Sequence, residues 1–133
     1  MLDDIELRVF SRIKNKCPIS ILSDFPDITF TTSDKVPQEP KFPNIYIHQM
    51  ETTEIAEDLE RTTINAIDCT FQINVTVDTT QSDARRVMTE VVLNTMKTMR
   101  FHVVTMPFFQ STANNTVLMI ARFSRTIASG DVL

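Results

Sequence analysis

The apolar and polar positions at the start of the chain predict an amphipathic helix from Leu2 to Asn15. Its apolar residues recur at steps of three and four, at Leu2, Ile5, Val9 and Ile13. That spacing places side chains along one face of a helix. Acidic residues lie early in the segment and basic residues late, which suits the helix dipole. We expect Pro18 to stop the helix, because the residue before a proline disfavours the α conformation.

The next forty residues show weaker patterns that predict short strands and a loop. From Ile19 to Phe30 a short apolar run is broken by Pro26, and we interpret the stretch as one short strand at a sheet edge. Residues 31–43 contain three prolines and many polar groups, which predicts an extended loop. Asn44 to Met50 alternates between apolar and polar residues and predicts a strand.

The clearest strand signal runs from Ile67 to Asp78. One side of the alternation consists of Cys69, Phe71, Ile73, Val75 and Val77. The other side consists of Thr70, Gln72, Asn74 and Thr76. This pattern indicates a sheet with one buried face, whose other face is solvated or covered by a partner.

A second helix and a closing hairpin complete the predicted fold. Thr80 and Asp83 occupy capping-box-like positions, and apolar residues at helical spacing continue to about Met99. Strands are predicted from Phe101 to Phe109 and from Thr116 to Ile127, on either side of a polar turn. Helices and strands in this order predict one α+β domain over residues 1–133, with two helices packed on one face of a mainly antiparallel (mixed) sheet. The tail from Ala128 to Leu133 is predicted to be mobile.

The segment from Glu51 to Thr63 is highly charged and stands apart from these patterns. It is compatible with a helical turn or with a projecting arm of two strands. Exposed acidic side chains interleaved with threonines favour a solvated or salt-bridging surface over paired catalytic carboxylates. We therefore take part of this segment as a candidate protein–protein interface, formed by Glu54, Glu57, Asp58, Glu60 and Arg61.

Composition supports a packed domain and argues against contact with nucleic acid or membrane. Of the 133 residues, 42% are hydrophobic and 23% charged, a normal balance for one globular domain. The net charge is −4 and basic residues form no run, so a groove that grips phosphates is not expected. The acidic start Met1-Leu2-Asp3-Asp4 differs from a signal peptide, and no apolar run approaches the roughly 20 residues of a membrane helix. We expect a reducing, cytoplasmic folding environment.

The residues available for chemistry point away from an enzyme. The only glycine is Gly130, whereas phosphate-binding loops need several glycines. His48 and His102 are isolated in the sequence and are expected at the surface or half-buried. Cys17 and Cys69 are 52 positions apart, fit no zinc spacing, and are expected to be buried free thiols. We predict no catalytic, metal or cofactor site, and hence a part of a protein assembly.

From about residue 42 to residue 127 the chain resembles the tail terminator (tail completion) proteins of long-tailed bacteriophages. The resemblance lies in an ordered pattern that begins with Phe42-Pro43-Asn44-Ile45 and the charged arm. The strand CTFQINVTVDT, the helix DARRVMTEVVLNTMKTMRF, a strand ending in Met106-Pro107-Phe108 and the closing strand ARFSRTIASGD follow in that order. The N-terminal helix agrees with the family as well. Many relatives have a glycine near the end of the second helix, where this chain has Met99 and Arg100.

The resemblance implies a virion protein made in the host cytoplasm and located at the head-proximal end of the phage tail. It implies a six-membered ring that caps the tail tube, ends its polymerisation and forms the head–tail joining surface. Implied partners are other copies of the chain, the major tail tube protein and a head-completion or neck protein. DNA would pass through the lumen without sequence-specific binding, and an acidic lumen is one hypothesis. Alternatives are another neck or head–tail connector protein and a small ligand-binding regulatory α+β domain.

Overall fold

The N-terminal helix forms where its periodicity predicts it. The computed structural model describes residues 5–32, 41–50, 53–57, 64–110, 112 and 116–128. Within them, helix α1 covers Ile5–Asn15 and buries Ile5, Val9, Phe10 and Ile13. These side chains pack over strands β1 (Thr29–Thr32) and β2 (Asn44–Gln49). Residues 2–4 of the predicted helix lie outside the described residues.

The segment predicted as one short strand after Pro18 is mostly wrong, because its first half is helical. Helix α2 covers Ile19–Asp24, and only then does β1 begin, at Thr29. Ile21 is fully buried and Phe25 packs against the core. The Phe25 N–H donates to the Ile21 carbonyl at 2.8 Å. In a strand Ile19 and Ile21 would share one side, whereas the helix leaves Ile19 83% exposed and buries Ile21. The predicted edge location of the strand is confirmed for β1.

The remaining strands build one mixed sheet of six, as the predicted α+β class requires. They are β3 (Thr53–Glu57), β4 (Ile64–Val77), β5 (His102–Gln110) and β6 (Val117–Ala128). The order across the sheet is β1-β2-β4-β6-β5, and β3 pairs with β4 beside this path. β1 and β2 are parallel and all other pairs are antiparallel. β6 reaches Ala128, so the predicted mobile tail overlaps this strand by one residue, and residues 129–133 lie outside the described residues.

The charged segment includes an arm strand rather than a helical turn. β3 pairs antiparallel with the first part of β4, with Glu54 opposite Ile67 and Glu57 opposite Ile64. Two irregularities interrupt this pairing. β2 pairs with a later part of β4, from Phe71 to Thr76. β2 and β3 therefore lie beside different stretches of the same edge of β4. β4 therefore serves both the main sheet and the arm.

A long composite helix crosses the sheet, and it is built from three consecutive segments. These are α3 (Gln81–Val87), a π-helical segment (Met88–Leu93) and α4 (Asn94–Thr98). The predicted cap is present, since the Asp83 N–H donates to the Thr80 hydroxyl at 3.2 Å. The Asp83 carboxylate accepts from the Thr79 hydroxyl at 2.6 Å. The predicted span of this helix is confirmed. Two helices were predicted in all, and with α2 the described residues contain three.

The composite helix ends in a Schellman motif with an arginine at its left-handed position. The Phe101 N–H donates to the Met96 carbonyl and the Arg100 N–H to the Lys97 carbonyl, both at 3.0 Å. Arg100 has φ 65°, the conformation that glycine usually supplies at this position. The Arg125 guanidinium, from β6, donates to the Met99 carbonyl at 3.0 Å. The end of the helix is thereby attached to the sheet.

The core lies between the helices and one face of the sheet. β4 contributes Phe71, Ile73, Val75 and Val77, which are the residues on the predicted apolar side. The largest fully buried side chains include Phe71 and Phe123, which lie opposite each other on β4 and β6. The Phe71 ring meets Phe101 edge to face at 5.6 Å. In the described part of the chain no helix covers the other face of the sheet, which we call the open face.

Candidate functional site

The open face carries a row of hydrogen-bonded polar side chains from the two central strands. Arg122 Nε donates to the Gln72 side-chain oxygen at 3.0 Å, and Gln72 Nε2 donates to Asn74 Oδ1 at 3.2 Å. Further along, Ser124 Oγ donates to an Asp68 carboxylate oxygen at 3.0 Å. The bonds from Arg122 and Ser124 cross from β6 to β4, whereas the bond between Gln72 and Asn74 lies within β4. The face is thus an ordered polar surface with few charges.

Two aromatic rings of β2 extend this face, and one of them has an unsatisfied nitrogen. Tyr46 and His48, two residues apart on the same side of the strand, stack with centroids 5.9 Å apart and planes at 10°. His48 Nδ1 is buried and has no hydrogen-bond partner among the described residues. A buried polar atom without a partner is costly, so a donor or acceptor from outside this surface would stabilise it. His48 is half-buried and His102 is exposed, which confirms the expectation for both.

An apolar centre interrupts the polar row toward strand β5. Ile120 is only 5% exposed although it lies on the open face, opposite Asn74 of β4 and Phe108 of β5. Phe108 itself is 41% exposed. The sequence pattern of β6 did not single out Ile120, because its neighbours on the other face are apolar too. The open face therefore becomes more apolar as it approaches the edge of the sheet.

Strand β5 is the edge strand at this end and carries most of the exposed apolar surface. Its exposed large side chains are Val103 at 40%, Val104 at 56%, Met106 at 72% and Phe108 at 41%. We call these four residues the β5 edge group. The strand HVVTMPFFQ contains no Lys, Arg, Asp or Glu. Long apolar edges favour association with another chain, so the β5 edge group is the main candidate interaction surface.

A second exposed apolar pair lies on helix α2. Ile19 is 83% exposed and Leu22 is 45% exposed, and residues three apart on a helix are neighbours on its surface. We call them the α2 pair. Leu7, on α1, is also half exposed. The β5 edge group, the α2 pair and Leu7 account for all the large apolar side chains found exposed among the described residues.

Two consecutive arginines of α3 show that α2 and β5 flank the composite helix on different sides. The Arg85 guanidinium lies 5.0 Å from the centre of the Phe109 ring, on β5. Arg86 forms an ion pair of 2.6 Å with Asp24, the last residue of α2, and lies 5.7 Å from the Phe25 ring. Arg86 also pairs with Glu90 at 2.8 Å. The helix therefore separates the β5 edge group from the α2 pair within one molecule.

The interface residues expected from the sequence are placed only in part. Glu54 and Glu57 lie on β3, in the arm. Asp58, Glu60 and Arg61 lie outside the described residues. The sequence did not identify the β5 edge group or the α2 pair as surface. The sequence feature that could have identified the β5 edge group is the uncharged strand HVVTMPFFQ. The same pattern is also compatible with a buried strand until its position in the sheet is known.

The cysteines and the possible metal ligands of the described residues lie apart from one another. No group of three or more His, Cys, Asp or Glu side chains suited to a metal ion occurs among them. Cys17 and Cys69 are both buried free thiols, as expected. Burial, with a smaller effect of Asp68 and an opposing one of Arg125, raises the pKa of Cys69 to about 11. Burial also raises the pKa of Cys17. Such thiols stay protonated at neutral pH and are poor nucleophiles.

A small acidic cleft lies where α2, β2 and β4 meet at one end of the sheet. Its volume is about 140 Å³, and its lining includes Asp24, Asp27, Asp78 and Pro43. Typical small-molecule pockets are larger, about 300–1,000 Å³, and mostly apolar. One of its carboxylates, that of Asp24, is already paired with Arg86. The cleft thus has neither the size nor the lining of a typical ligand site.

Comparison with known proteins gives no relative from which a role could be transferred. No protein-family model matches the chain. No curated protein sequence matches it either. Among the described residues, no helix has the length and apolar character required to cross a membrane.

Proposed function

We propose that this chain is a phage virion assembly protein, a ring-forming subunit that caps the tail tube and presents the head–tail joining surface. The observation that carries the proposal is the β5 edge group, four exposed apolar side chains on an uncharged edge strand of the described sheet, with Val103 on the helix side and Phe108 on the open face. The resemblance to tail terminator proteins supplies the biological setting. The arm strand β3 and the open face offer further surface to neighbouring proteins. The proposed role is binding and assembly rather than catalysis.

The size of the apolar edge supports association that is weak for one contact and stronger in a closed assembly. Full burial of a Val, Met or Phe side chain contributes about 1.5–3 kcal/mol. The four members of the β5 edge group are roughly half exposed, so their burial contributes about 3–6 kcal/mol in total. Association costs about 4–15 kcal/mol in lost freedom of motion. A single edge contact is therefore marginal, whereas a ring on a preformed tube closes several contacts at once.

The polar row on the open face suits a protein-lined surface rather than a nucleic-acid grip. Its charged side chains include Arg122 and Asp68, whose opposite charges leave the polar row with little net charge. Strong phosphate binding needs several unpaired basic side chains on one surface. On the open face Arg122 is engaged by Gln72. DNA that passes such a surface would meet no dense basic patch there.

The test is assembly state in solution and on tail tubes. Mass measurement and electron microscopy of the purified chain should show six-membered rings. When the chain is mixed with tail-tube subunits, these rings should lie at the tube ends. Met106→Glu places a charge in the centre of the β5 edge group and should abolish ring formation. Gln81→Glu, which adds the same charge at an exposed position on α3, is the matched control and should assemble normally. In the phage, deletion of the gene should give abnormally long tails without heads. A chain that never binds tail tubes, with tails of normal length after deletion, would reject the proposal.

A further inference from the structure

We infer that the ring contact is head to tail, with the β5 edge group of one copy packed on the α2 pair of the next copy. This inference rests on the proposed self-assembly and names the two surfaces that meet. The β5 edge group is Val103, Val104, Met106 and Phe108, and the α2 pair is Ile19 and Leu22. The occupant of the apolar edge is thus a second copy of this chain.

The placement of the two surfaces in one molecule prevents them from covering each other. Arg85 lies over Phe109 of β5, whereas Arg86 pairs with Asp24 of α2. Consecutive helical residues project in directions about 100° apart, so β5 and α2 lie on different sides of the composite helix. The two apolar surfaces therefore meet only between molecules.

The charges around the two surfaces are also compatible with mutual burial. β5 contains no Lys, Arg, Asp or Glu. The only charged residue of α2 is Asp24, whose carboxylate is already held by Arg86 at 2.6 Å. Burial of an unpaired charge is strongly unfavourable, and neither surface would require it. An uncharged apolar edge needs an uncharged apolar partner, and α2 provides one.

Pairing of two β5 strands with each other is the obvious competing contact, and the geometry of β5 opposes it. Pro107 has no N–H and cannot donate to a neighbouring strand. The pairing of β5 with β6 shifts between Val103 and Thr105 and again between Thr105 and Phe108. Irregular edges with proline resist extension of the sheet. Side-chain packing on a helix needs no continuous ladder of backbone hydrogen bonds, so β5 is better suited to α2 than to a second β5.

Contact between unlike surfaces also has the symmetry that a ring requires. A β5–β5 contact would use the same surface twice and close at a dimer, whereas a β5–α2 contact leaves one surface free at each end. Such heterologous contacts generate rings when the rotation between copies closes. An interface of standard size covers about 800 Å² on each partner. That is about a tenth of the 8037 Å² that the chain exposes, so two such faces fit on one subunit.

The decisive experiment mixes two variants, each defective in one surface. Ile19→Glu charges the α2 pair and Met106→Glu charges the β5 edge group. Each variant alone should associate at least about 100-fold more weakly than the unaltered chain, because a buried charge opposes the contact. At the highest soluble concentration a mixture of the two should form dimers with one copy of each, because each mixed pair retains one intact contact, although that contact is weaker than a closed ring. Analytical ultracentrifugation and native mass spectrometry measure these species.

Gln81→Glu should assemble like the unaltered chain, and thermal unfolding of all three variants should match it, since the three positions are exposed. Normal assembly of Ile19→Glu, or a mixture that stays monomeric, would overturn the head-to-tail contact. So would an unaltered chain that stays monomeric at its highest soluble concentration.

A cross-linking measurement tests the same contact without introducing charge. Met106→Cys mixed with Ile19→Cys should give disulfide-linked dimers between the two variants, while the native thiols are buried. Cross-links of Met106→Cys with itself alone would indicate the β5–β5 contact instead. Because these measurements use the chain by itself, a head-to-tail contact without tube binding would reject the terminator function and leave the contact standing. Normal tube capping by Ile19→Glu would reject the head-to-tail contact and leave the terminator function standing.

Discussion

Replacement of Arg100 by glycine should stabilise the protein, and the structure gives the reason. Arg100 is exposed and occupies the left-handed position of the Schellman motif, with φ 65°. For a residue with a Cβ atom this conformation costs about 1–2 kcal/mol. Glycine avoids that cost but loses about 0.5–1 kcal/mol through its greater freedom in the unfolded chain. The difference predicts that Arg100→Gly raises the free energy of unfolding by roughly 0.5–1 kcal/mol.

The expected shift is large enough to measure by thermal denaturation. Unfolding entropy is about 2.1 cal/mol/K per residue, and the chain has 133 residues, so the total is about 280 cal/mol/K. A gain of 1 kcal/mol then corresponds to a rise in Tm of about 3–4 °C. Circular dichroism at 222 nm would follow the transition, and urea unfolding should show a higher midpoint with an unchanged slope.

Arg100→Ala is the matched control, because alanine also removes the arginine side chain but keeps the Cβ atom. If backbone conformation is the cause, Arg100→Ala leaves Tm close to that of the unaltered chain and only glycine raises it. Equal stabilisation by alanine and glycine would assign the effect to loss of the charged side chain. A lower Tm for Arg100→Gly would refute the reasoning altogether.

The other predictions concern the cap, the buried arginine and the thiols. Thr80→Ala removes the acceptor at the start of the composite helix and should cost about 1 kcal/mol in urea unfolding; an unchanged midpoint would contradict the cap. Arg125→Met leaves the Met99 carbonyl without this donor and should cost about 2 kcal/mol, which thermal melts would detect. At pH 8, Ellman's reagent should label Cys17 and Cys69 only after unfolding, and fast labelling of the native protein would contradict their burial. Burial raises the pKa of Cys69 from 9.0 to about 11. Between these values the unfolded state binds fewer protons, so the free energy of unfolding falls as the pH rises from 9 to 11. Cys69→Ala should reduce this dependence of the free energy of unfolding on pH.

The elements predicted most accurately are those whose own sequence carries a strong period. β4 alternates from Ile67 to Val77 and buries the predicted side, from Cys69 to Val77. The composite helix begins after Thr80 and ends near Met99, as its cap and apolar stripe indicate. In both cases the signal is local, because it depends on which residues neighbour one another along a single element. Such signals do not depend on how the rest of the chain folds.

Helix α2 escaped prediction because its signal is too short and depends on the core. Six residues, Ile19–Asp24, form it, and only Ile21 within it is buried. A short apolar run is compatible with either a strand or a helix. The structure distinguishes them by Ile19, which would share the buried side of Ile21 in a strand but is 83% exposed in the helix. Tertiary packing thus overrode a weak local preference.

By itself, the sequence determined the α+β class, the apolar side of β4 and the cap at Thr80. Only the tertiary structure decided that β5 lies at an edge, since Phe71 of β4 pairs with Phe123 of β6, 52 positions away. That long-range order leaves β5 at the end of the sheet and makes Met106 surface rather than core. Periodicity reports the faces of one element, whereas the neighbours of a strand depend on distant parts of the chain. The candidate interaction surface therefore became visible only when the strand order was known.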